Sequence, residues 1–571
     1  MRRLALALTL LAAPAWAQTI YPLDRAEILA GAKFDFKVEF PGSPTAAAVR
    51  VAIGGKPPES VLGGKPAFVE NEDGKGHSAY WIRGASVAKP GAYAVSATAD
   101  GKTETVAWEV FGTPGPRAAR NVILFIGDGM SIAHRTAARI MSKGLRQGRY
   151  GGELAIDDMP RMALVSTSGT DSVVTDSANS MSAYTTGHKS CNAAIGVYCA
   201  RNASSLDHPK VEVLGELAKR KGLAVGVVTN TEIEDATPAG MVAHTSNRRD
   251  YNAIVKMLLD VGPDVAMGGG SPHFLPKSTP GSKRTDETDY IAAFKQVGYA
   301  FATTAAEMRA ARGAGKLLGL FNVGNIDGAL DRRLLRQGSV ARFPDQPDLP
   351  EQTQVALDIL SRKPNGFVLM VESGRIDKYT HSMDAERAVF DTIMLDEAVR
   401  VAKDFAKRRN DTLVIVVADH AHAVSLVGTY DNRLPGAPRD RLGIYEKSAV
   451  PTYPRELGSP YPSTLDLPLR LAIGFGTFPD HCEDGRAALD RQYVPAVPGP
   501  DGKTFVANPR ECDRPGAVRI EGNLPKDVPQ AVHAADDVVL TAMGPGSDAF
   551  RGRIDNTRVF RAIAAALALG R

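Results

Sequence analysis

The sequence predicts an α/β fold, a mostly parallel central sheet flanked by helices on both faces, preceded by a small all-β domain. Three observations carry this. Apolar residues alternate with polar ones through residues 18 to 111. From 119 onward, continuous apolar runs alternate with amphipathic helical patterns. Those runs end, one after another, in acidic or imidazole side chains.

The chain opens MRRLALALTLLAAPAWAQ, with two arginines, an apolar run and a small-residue cleavage pattern at Ala15, Trp16 and Ala17. Residues 1–17 therefore read as a secretory signal peptide and stand outside the fold. KFDFKVEF, from Lys33 to Phe40, alternates strictly and puts Phe34, Phe36, Val38 and Phe40 on one face of a strand. YAVSATADGKTETVAWEVF reads as a hairpin turning at Asp100 and Gly101. An immunoglobulin-like β-sandwich over 18–111 fits these signals, followed by a Gly/Pro linker at 112–118.

The region 119–571 changes character. NVILFIGDG contains Val122–Ile126, a run apolar on both faces, as expected of a strand covered by helices on either side. VEVLGELAKRKG is an amphipathic helix stopped by Gly222, and LAVGVVT is the strand after it. GFVLMVES and TLVIVVADH repeat the apolar run, separated by a long helical pattern from Met383 to Lys407. DDVVLTAMG supplies a further strand near the end. Residues 428–530 differ, being rich in Pro, Gly and Arg, and read as an insertion of loops and short strands.

Composition narrows the function. The 571 residues carry a formal net charge of +4 with no basic block, which argues against nucleic acid. No run beyond the leader approaches the roughly 20 apolar residues of a membrane span. The expected location is the periplasm or the exterior. The four cysteines, an even number in an exported chain, predict disulfides between sequence neighbours, Cys191–Cys199 and Cys482–Cys512.

The chemistry lies at the strand ends. Asp128 follows VILFIG, Glu372 follows VLMV, Asp419 and His420 follow VIVVA, and Asp235 and Thr237 follow LAVGVVT. Open parallel sheets bind ligands beyond their carboxyl ends, so these distant residues converge. Taken singly, an aspartate there is a turn or cap residue and a glutamate a solvated one. Gathered at one edge, carboxylates repel unless cations neutralise them. His381 lies four residues after Asp377, on the same face of a helix, a pair that alone reads as a helix salt bridge. His533 just precedes the last strand, and His422 in ADHAH is placed to orient a ligand. His77, His208, His273 and His481 read as ordinary surface or loop residues. Mixed oxygen and imidazole donors suit zinc, an oxygen-rich pocket suits magnesium, and two close divalent ions suit phosphoryl transfer. In VVTDSANSMSAYTTGHKS, residues 173–190, Asp176 caps a helix that Gly187 closes, and Ser177 stands where the helix dipole favours an anion.

GDGM (127–130), TDSANSMSAYTTG (175–187), EDATPAGMVAHTSNR (234–248), VESGRIDKYTH (371–381), ADHAH (418–422) and the late VHAADDV together resemble the alkaline phosphatase family, in the family's order, from about 119 to 571. The resemblance implies hydrolysis of small-molecule phosphate monoesters through a phosphoserine on Ser177, with two Zn2+ and one Mg2+. It implies one zinc on Asp377, His381 and His533, and the other on Asp128, Asp419 and His420. Asp128, Glu372 and Thr237 would hold the magnesium, with Asp235 acting through its waters. Arg248 matches the arginine that grips phosphoryl oxygens, and Lys378 a cation near the phosphate. A homodimer is compatible with the family. The 428–530 insertion stands where some members carry a crown, and no family motif places the cysteines or the first domain. Ala178, Asn179, Ser180 and Met181 after Ser177 lack the Pro and Arg of a sulfatase modification motif. Related diesterases commonly use threonine and lack the arginine. A noncatalytic, phosphate-binding or adhesive protein is the reading from another class, and the ligand set speaks against it.

Overall fold

The computed structural model describes residues 18–570, so the signal-peptide reading lies outside the described residues. The chain divides into two compact units. One takes the described residues up to Gly112 together with 198–211, and the other takes 113–197 and 212–570.

In the first unit, strands Thr19–Tyr21, Phe34–Pro41, His77–Ala85 and Ala67–Val69 form one four-stranded sheet, in that order. Glu27–Leu29, Lys102–Phe111, Gly91–Ala99 and Val49–Ile53 form a second. Asp100 and Gly101 both take positive φ in the tight turn between Gly91–Ala99 and Lys102–Phe111, which is the geometry that an Asp-Gly hairpin offers. Phe34, Phe36, Val38 and Phe40 share one apolar cluster with Trp108 and Val110, and Phe36 meets Trp108 edge-on at 5.8 Å.

The opposite face of that strand departs from simple alternation. Asp35, Lys37 and Glu39 are buried as well, because the 198–211 segment covers them. Lys37 Nζ donates to Glu39 Oε1 at 2.8 Å and to Asn202 Oδ1 at 2.9 Å. Asp35 accepts from the Lys210 amide, and Glu39 from the Arg201 amide. Charged residues on a covered face persist only when paired and hydrogen-bonded in this way.

The second unit is built on a ten-stranded sheet. Its order is Ala300–Ala302, Leu317–Leu320, Val265–Gly269, Ala224–Glu232, Phe367–Ser373, Asn121–Gly127, Thr412–Val417, Val538–Met543, Arg161–Ser166 and Arg551–Asp555. All neighbours pair in parallel except Val538–Met543, which is antiparallel to both of its partners. Asn121–Gly127, Phe367–Ser373 and Thr412–Val417 are buried along their whole length, as their unbroken apolar runs require. The 25-residue helix Ala385–Arg409 occupies the predicted helical stretch and packs against helices Leu349–Leu360 and Ile132–Lys143.

Register decides what meets at the rim. Val417 and Glu372 both pair with Ile126, and Thr229 pairs with Glu372, so the residues just after these strands emerge side by side. Because Val538–Met543 runs the other way, its entrance faces the edge at which the parallel strands leave. His533 arrives there, and a two-residue ladder pairs it with His422.

Residues 428–530 carry most of a three-stranded sheet that begins at Val424, a short hairpin of Ala496–Pro498 with Phe505–Ala507, a two-stranded ladder between the distant segments His481–Glu483 and Val518–Ile520, and the Cys482–Cys512 disulfide. Cys191 and Cys199 are disulfide-bonded too, and no cysteine is free among the described residues. Among those residues no helix is long and apolar enough to cross a membrane.

Candidate active site

Helix Ser177–Thr186 begins at Asp176 and stops at Gly187, which adopts the left-handed conformation with φ 76°. The Asp176 carboxylate accepts from the Asn179 amide at 3.1 Å, and the Asn179 side chain accepts from the Asp176 amide at 3.0 Å. This reciprocal cap fixes the first turn and presents Ser177 at its positive end. Ser177 is buried, its Oγ 3.3 Å from His420 Nε2 and 3.5 Å from both oxygens of Asp128.

Asp419 and His420 are neighbours that reach the same point because the chain leaves the Thr412–Val417 strand irregularly. Asp419 Oδ1 accepts from the amides of Gly129 and His420, both at 3.0 Å. Its Oδ2 is buried and receives no hydrogen bond, although His420 Nε2 is 3.4 Å away. His420 Nε2 also lies 3.2 Å from Asp128 Oδ1. Gly129 has φ +66°, and a Cβ there would stand 2.7 Å from the His422 ring, so GDGM needs its second glycine.

The second half of the cluster surrounds Asp377. Helix Arg375–His381 puts Asp377 and His381 on one face, and Asp377 Oδ1 lies 2.6 Å from His422 Nε2, 3.3 Å from His381 Nε2 and 3.4 Å from His533 Nε2. Two backbone carbonyls orient the rings. His381 Nδ1 donates to Ala531 O at 2.6 Å, and His533 Nδ1 to Thr175 O at 2.8 Å. A carbonyl only accepts, so the proton of each neutral ring sits on Nδ1, and the two Nε2 lone pairs face one another at 3.1 Å. Lone pairs this close, with a carboxylate oxygen beside them, fit a cation. Donor sets of this kind occur twice here, as Asp377, His420, His422 and His533, and as Asp128, Asp419 and His420.

The electrostatics agree. Burial, with Asp419 and Asp377 acting in the same sense, pushes the Asp128 carboxyl up to about 7. Burial, with help from Asp128, raises Glu372 to about 8. Burial works against a charged His420, yet Asp419 and Asp128 beside it raise that imidazole to about 10. Burial also opposes ionisation of Asp377, but His381, His422 and His533 hold it well below the usual carboxylate range. Crowded carboxylates of this sort ionise together only when positive charge joins them.

Glu372 Oε2 accepts from the hydroxyls of Thr229 and Thr231 on the adjacent strand. Thr237 is buried in the short helix Ala236–Ala239, which Asp235 caps. Arg248 reaches Asp176 Oδ2 at 3.2 Å and Asp235 Oδ1 at 3.0 Å, and Lys378 Nζ reaches Asp235 Oδ2 at 2.6 Å. The carboxylates keep both cations charged despite burial, while Lys378 and Arg248 overcome burial to hold Asp235 well below its ordinary range.

Of the residues predicted for the site, Asp128, Ser177, Asp235, Thr237, Glu372, Asp377, Asp419, His420 and His422 are buried, and Arg248, Lys378, His381 and His533 are partly exposed. Four further histidines were expected at the surface or in loops; His208 does lie in a loop, but the structure corrects the expectation of surface exposure. His77, His208, His273 and His481 are all buried. His77 and His481 lie on strands, where neighbouring segments cover them. Sequence reasoning also missed Thr229 and Thr231, whose hydroxyls looked like ordinary strand residues, and Ser131, whose Oγ donates to the His422 carbonyl at 2.6 Å.

A parallel sheet with paired clusters of carboxylate and imidazole at its carboxyl edge, around a serine at a helix N-terminus, defines a metal-dependent hydrolase. Residues 119–446 match the alkaline phosphatase family model, and the chain belongs to that family. It is 35% identical over 360 residues to alkaline phosphatase of Escherichia coli, covering 56% of this chain and 74% of that protein. It is 33% identical over 353 residues to streptomycin-6-phosphate phosphatase of Streptomyces griseus, covering 55% of this chain and 76% of that one. Among solved structures, that of Thermus thermophilus alkaline phosphatase superposes with a TM-score of 0.58 at 28% identity, covering 81% of this chain and 94% of that one. The protein is thus a phosphatase acting on phosphate monoesters, in a metal-dependent family.

Proposed function

We propose that the protein is exported and hydrolyses phosphate monoesters through a phosphoserine on Ser177. Asp377, His381 and His533 would hold one Zn2+; Asp128, Asp419 and His420 would hold another; Asp128, Glu372 and Thr237 would hold Mg2+. When bound, these ions supply the charge that lowers the proton affinity of the Ser177 hydroxyl and stabilises the departing ester oxygen.

The chain's own residues do the rest. Ser177 Oγ, losing its proton to solvent, attacks phosphorus as the ester P–O bond breaks, and the departing alkoxide takes a proton from solvent. Arg248, released from Asp176 or Asp235, offers a planar fork to two nonbridging oxygens, which a lysine could not match. Asp235 holds Lys378 near the phosphoryl group and tethers Arg248 between turnovers. Asp377 is oriented by His422. Water then attacks the phosphoserine, the P–Oγ bond breaks, and Ser177 regains its proton as inorganic phosphate leaves. Residues 18–111 form a β-sandwich domain that 198–211 completes, 112–118 a linker and 428–530 an insertion on the catalytic domain. The paired cysteines support a periplasmic or external location.

The observation that carries this is the Ser177 hydroxyl, buried at a capped helix start within 3.3 Å of His420 and 3.5 Å of Asp128. Rates on p-nitrophenyl phosphate and its bis-ester test it. Monoester turnover should dominate, and equal or faster diester turnover would overturn the assignment.

A further inference from the structure

Glu232, Glu234 and His273 form another set of ligating side chains, which the phosphatase chemistry leaves unused. One ligand atom from each lies within 4.8 Å of the others. Glu232 ends the strand Ala224–Glu232, Glu234 follows in the turn that leads to Asp235, and His273 sits on the short helix Ser271–Phe274 after the neighbouring strand Val265–Gly269.

Two features set this group apart from an ordinary acidic cluster. Glu234 is 0% exposed and His273 5%, yet neither oxygen of Glu234 and neither ring nitrogen of His273 has a hydrogen-bond partner. Buried polar atoms are satisfied almost everywhere in folded proteins, so an orphaned carboxylate and an orphaned imidazole, with one ligand atom of each in the same cluster, call for a ligand. His273 Nε2 stops 3.6 Å from Glu234 Oε1, too far for a hydrogen bond. Space for the carboxylate comes from Gly270, with φ +86°, where a Cβ would stand 2.3 Å from both Glu234 oxygens. Lys283 Nζ lies 3.5 Å from Glu232 Oε1 on a half-exposed side chain, and is the local competitor for that oxygen.

We propose that Glu232, Glu234 and His273 hold one divalent cation of the zinc or manganese class, on ligands separate from those around Ser177. Two carboxylates and an imidazole match a first-row transition ion, whereas calcium takes oxygen ligands throughout. Glu234 directly precedes Asp235, whose carboxylate takes both Arg248 and Lys378. The cation therefore pins the turn that carries the phosphate-gripping network.

Metal content of the full chain, dialysed against Zn2+ and separately against Mn2+, tests this. Glu234→Gln should bind one equivalent less than the unmutated protein, and His273→Gln likewise. The same one-equivalent difference should persist in an Asp419→Asn background, which keeps this result independent of the Ser177 centre. Lys283→Ala, which removes the competing ammonium, should tighten that equivalent. Equal metal content with and without Glu234→Gln would overturn the proposal. Should the variants fail to fold, anomalous scattering from a zinc-soaked crystal of the unmutated protein decides, since the absence of a peak between Glu232, Glu234 and His273 would be equally fatal.

Discussion

At the scale of single residues, function depends on groups whose sequence context is bland. Ser177 is one hydroxyl in a run of small residues, and the role proposed for it rests on the cap at Asp176 and on the strand ends across from it. Ser177→Ala should cut monoester turnover by roughly 10^3-fold or more while metal content stays unchanged. Steady-state rates paired with elemental analysis check this, and substantial residual turnover would point to another nucleophile. Arg248→Ala removes the charge-assisted fork, so kcat/KM for monoesters should fall about 10- to 100-fold. Phosphate inhibition should weaken in parallel, with diester turnover less affected; equal losses on both substrates would refute the assigned grip. Asp128, Glu372, Asp419 and His420 were legible in the sequence because each follows an apolar run, whereas Arg248 and Lys378 were reached only through the family resemblance. Glu234 and His273 were not legible, because an orphaned carboxylate shows only once the Gly270 turn has brought the neighbouring strand's histidine across.

At the scale of elements, strand direction and register place the site. Val122–Ile126 and its counterparts announced buried parallel strands through unbroken apolarity, but nothing local distinguishes the antiparallel Val538–Met543 strand, whose reversal brings His533 to the rim. KFDFKVEF likewise announced a strand and its inner face, yet not the burial of Lys37, because the covering segment comes from residues 198–211. Asp264 ties elements together at the opposite end of the sheet. Its carboxylate accepts from the Val225 amide at 3.1 Å, Lys219 at 3.0 Å and Lys363 at 2.7 Å. Burial opposes its charge, but the Lys363 and Lys219 contacts lower its pKa below the ordinary value. The folded state thus binds this proton less readily than the unfolded chain, and the stabilisation is complete above the ordinary carboxylate pKa of about 3.9. It fades as pH falls through the lower, folded value. Asp264→Asn should lower the melting temperature at neutral pH, with the difference from the unmutated protein shrinking in acid below about pH 4. A difference independent of pH would exclude the ion pairs as its source.

At the scale of the whole molecule, the disulfides tie down segments with little regular structure. Cys482–Cys512 closes a loop with a sequence separation of 30 inside the loop-rich 428–530 region. Replacing both cysteines by serine should destabilise the protein by roughly 3 to 4 kcal/mol, as chain-entropy arguments give for a loop of that size. Chemical denaturation of the variant and the parent would show it, and coincident midpoints would mean the insertion is held by its other contacts. The order of strands and helices was readable from apolar periodicity, whereas the covering segment at 198–211 and the packing of the insertion were not, since neither carries a period that points to its partner.

In the proposed function, the rim of carboxylates and imidazoles becomes catalytic only when cations sit in it and Ser177 takes the phosphoryl group. Acid-quenching the enzyme during monoester turnover and mapping phosphate by peptide mass spectrometry tests both halves at once. Phosphate should appear on the peptide containing Ser177 in the metal-loaded protein and be absent after chelation. Phosphate on a different residue, or undiminished turnover in chelated protein with Ser177 unmodified, would contradict the proposed function.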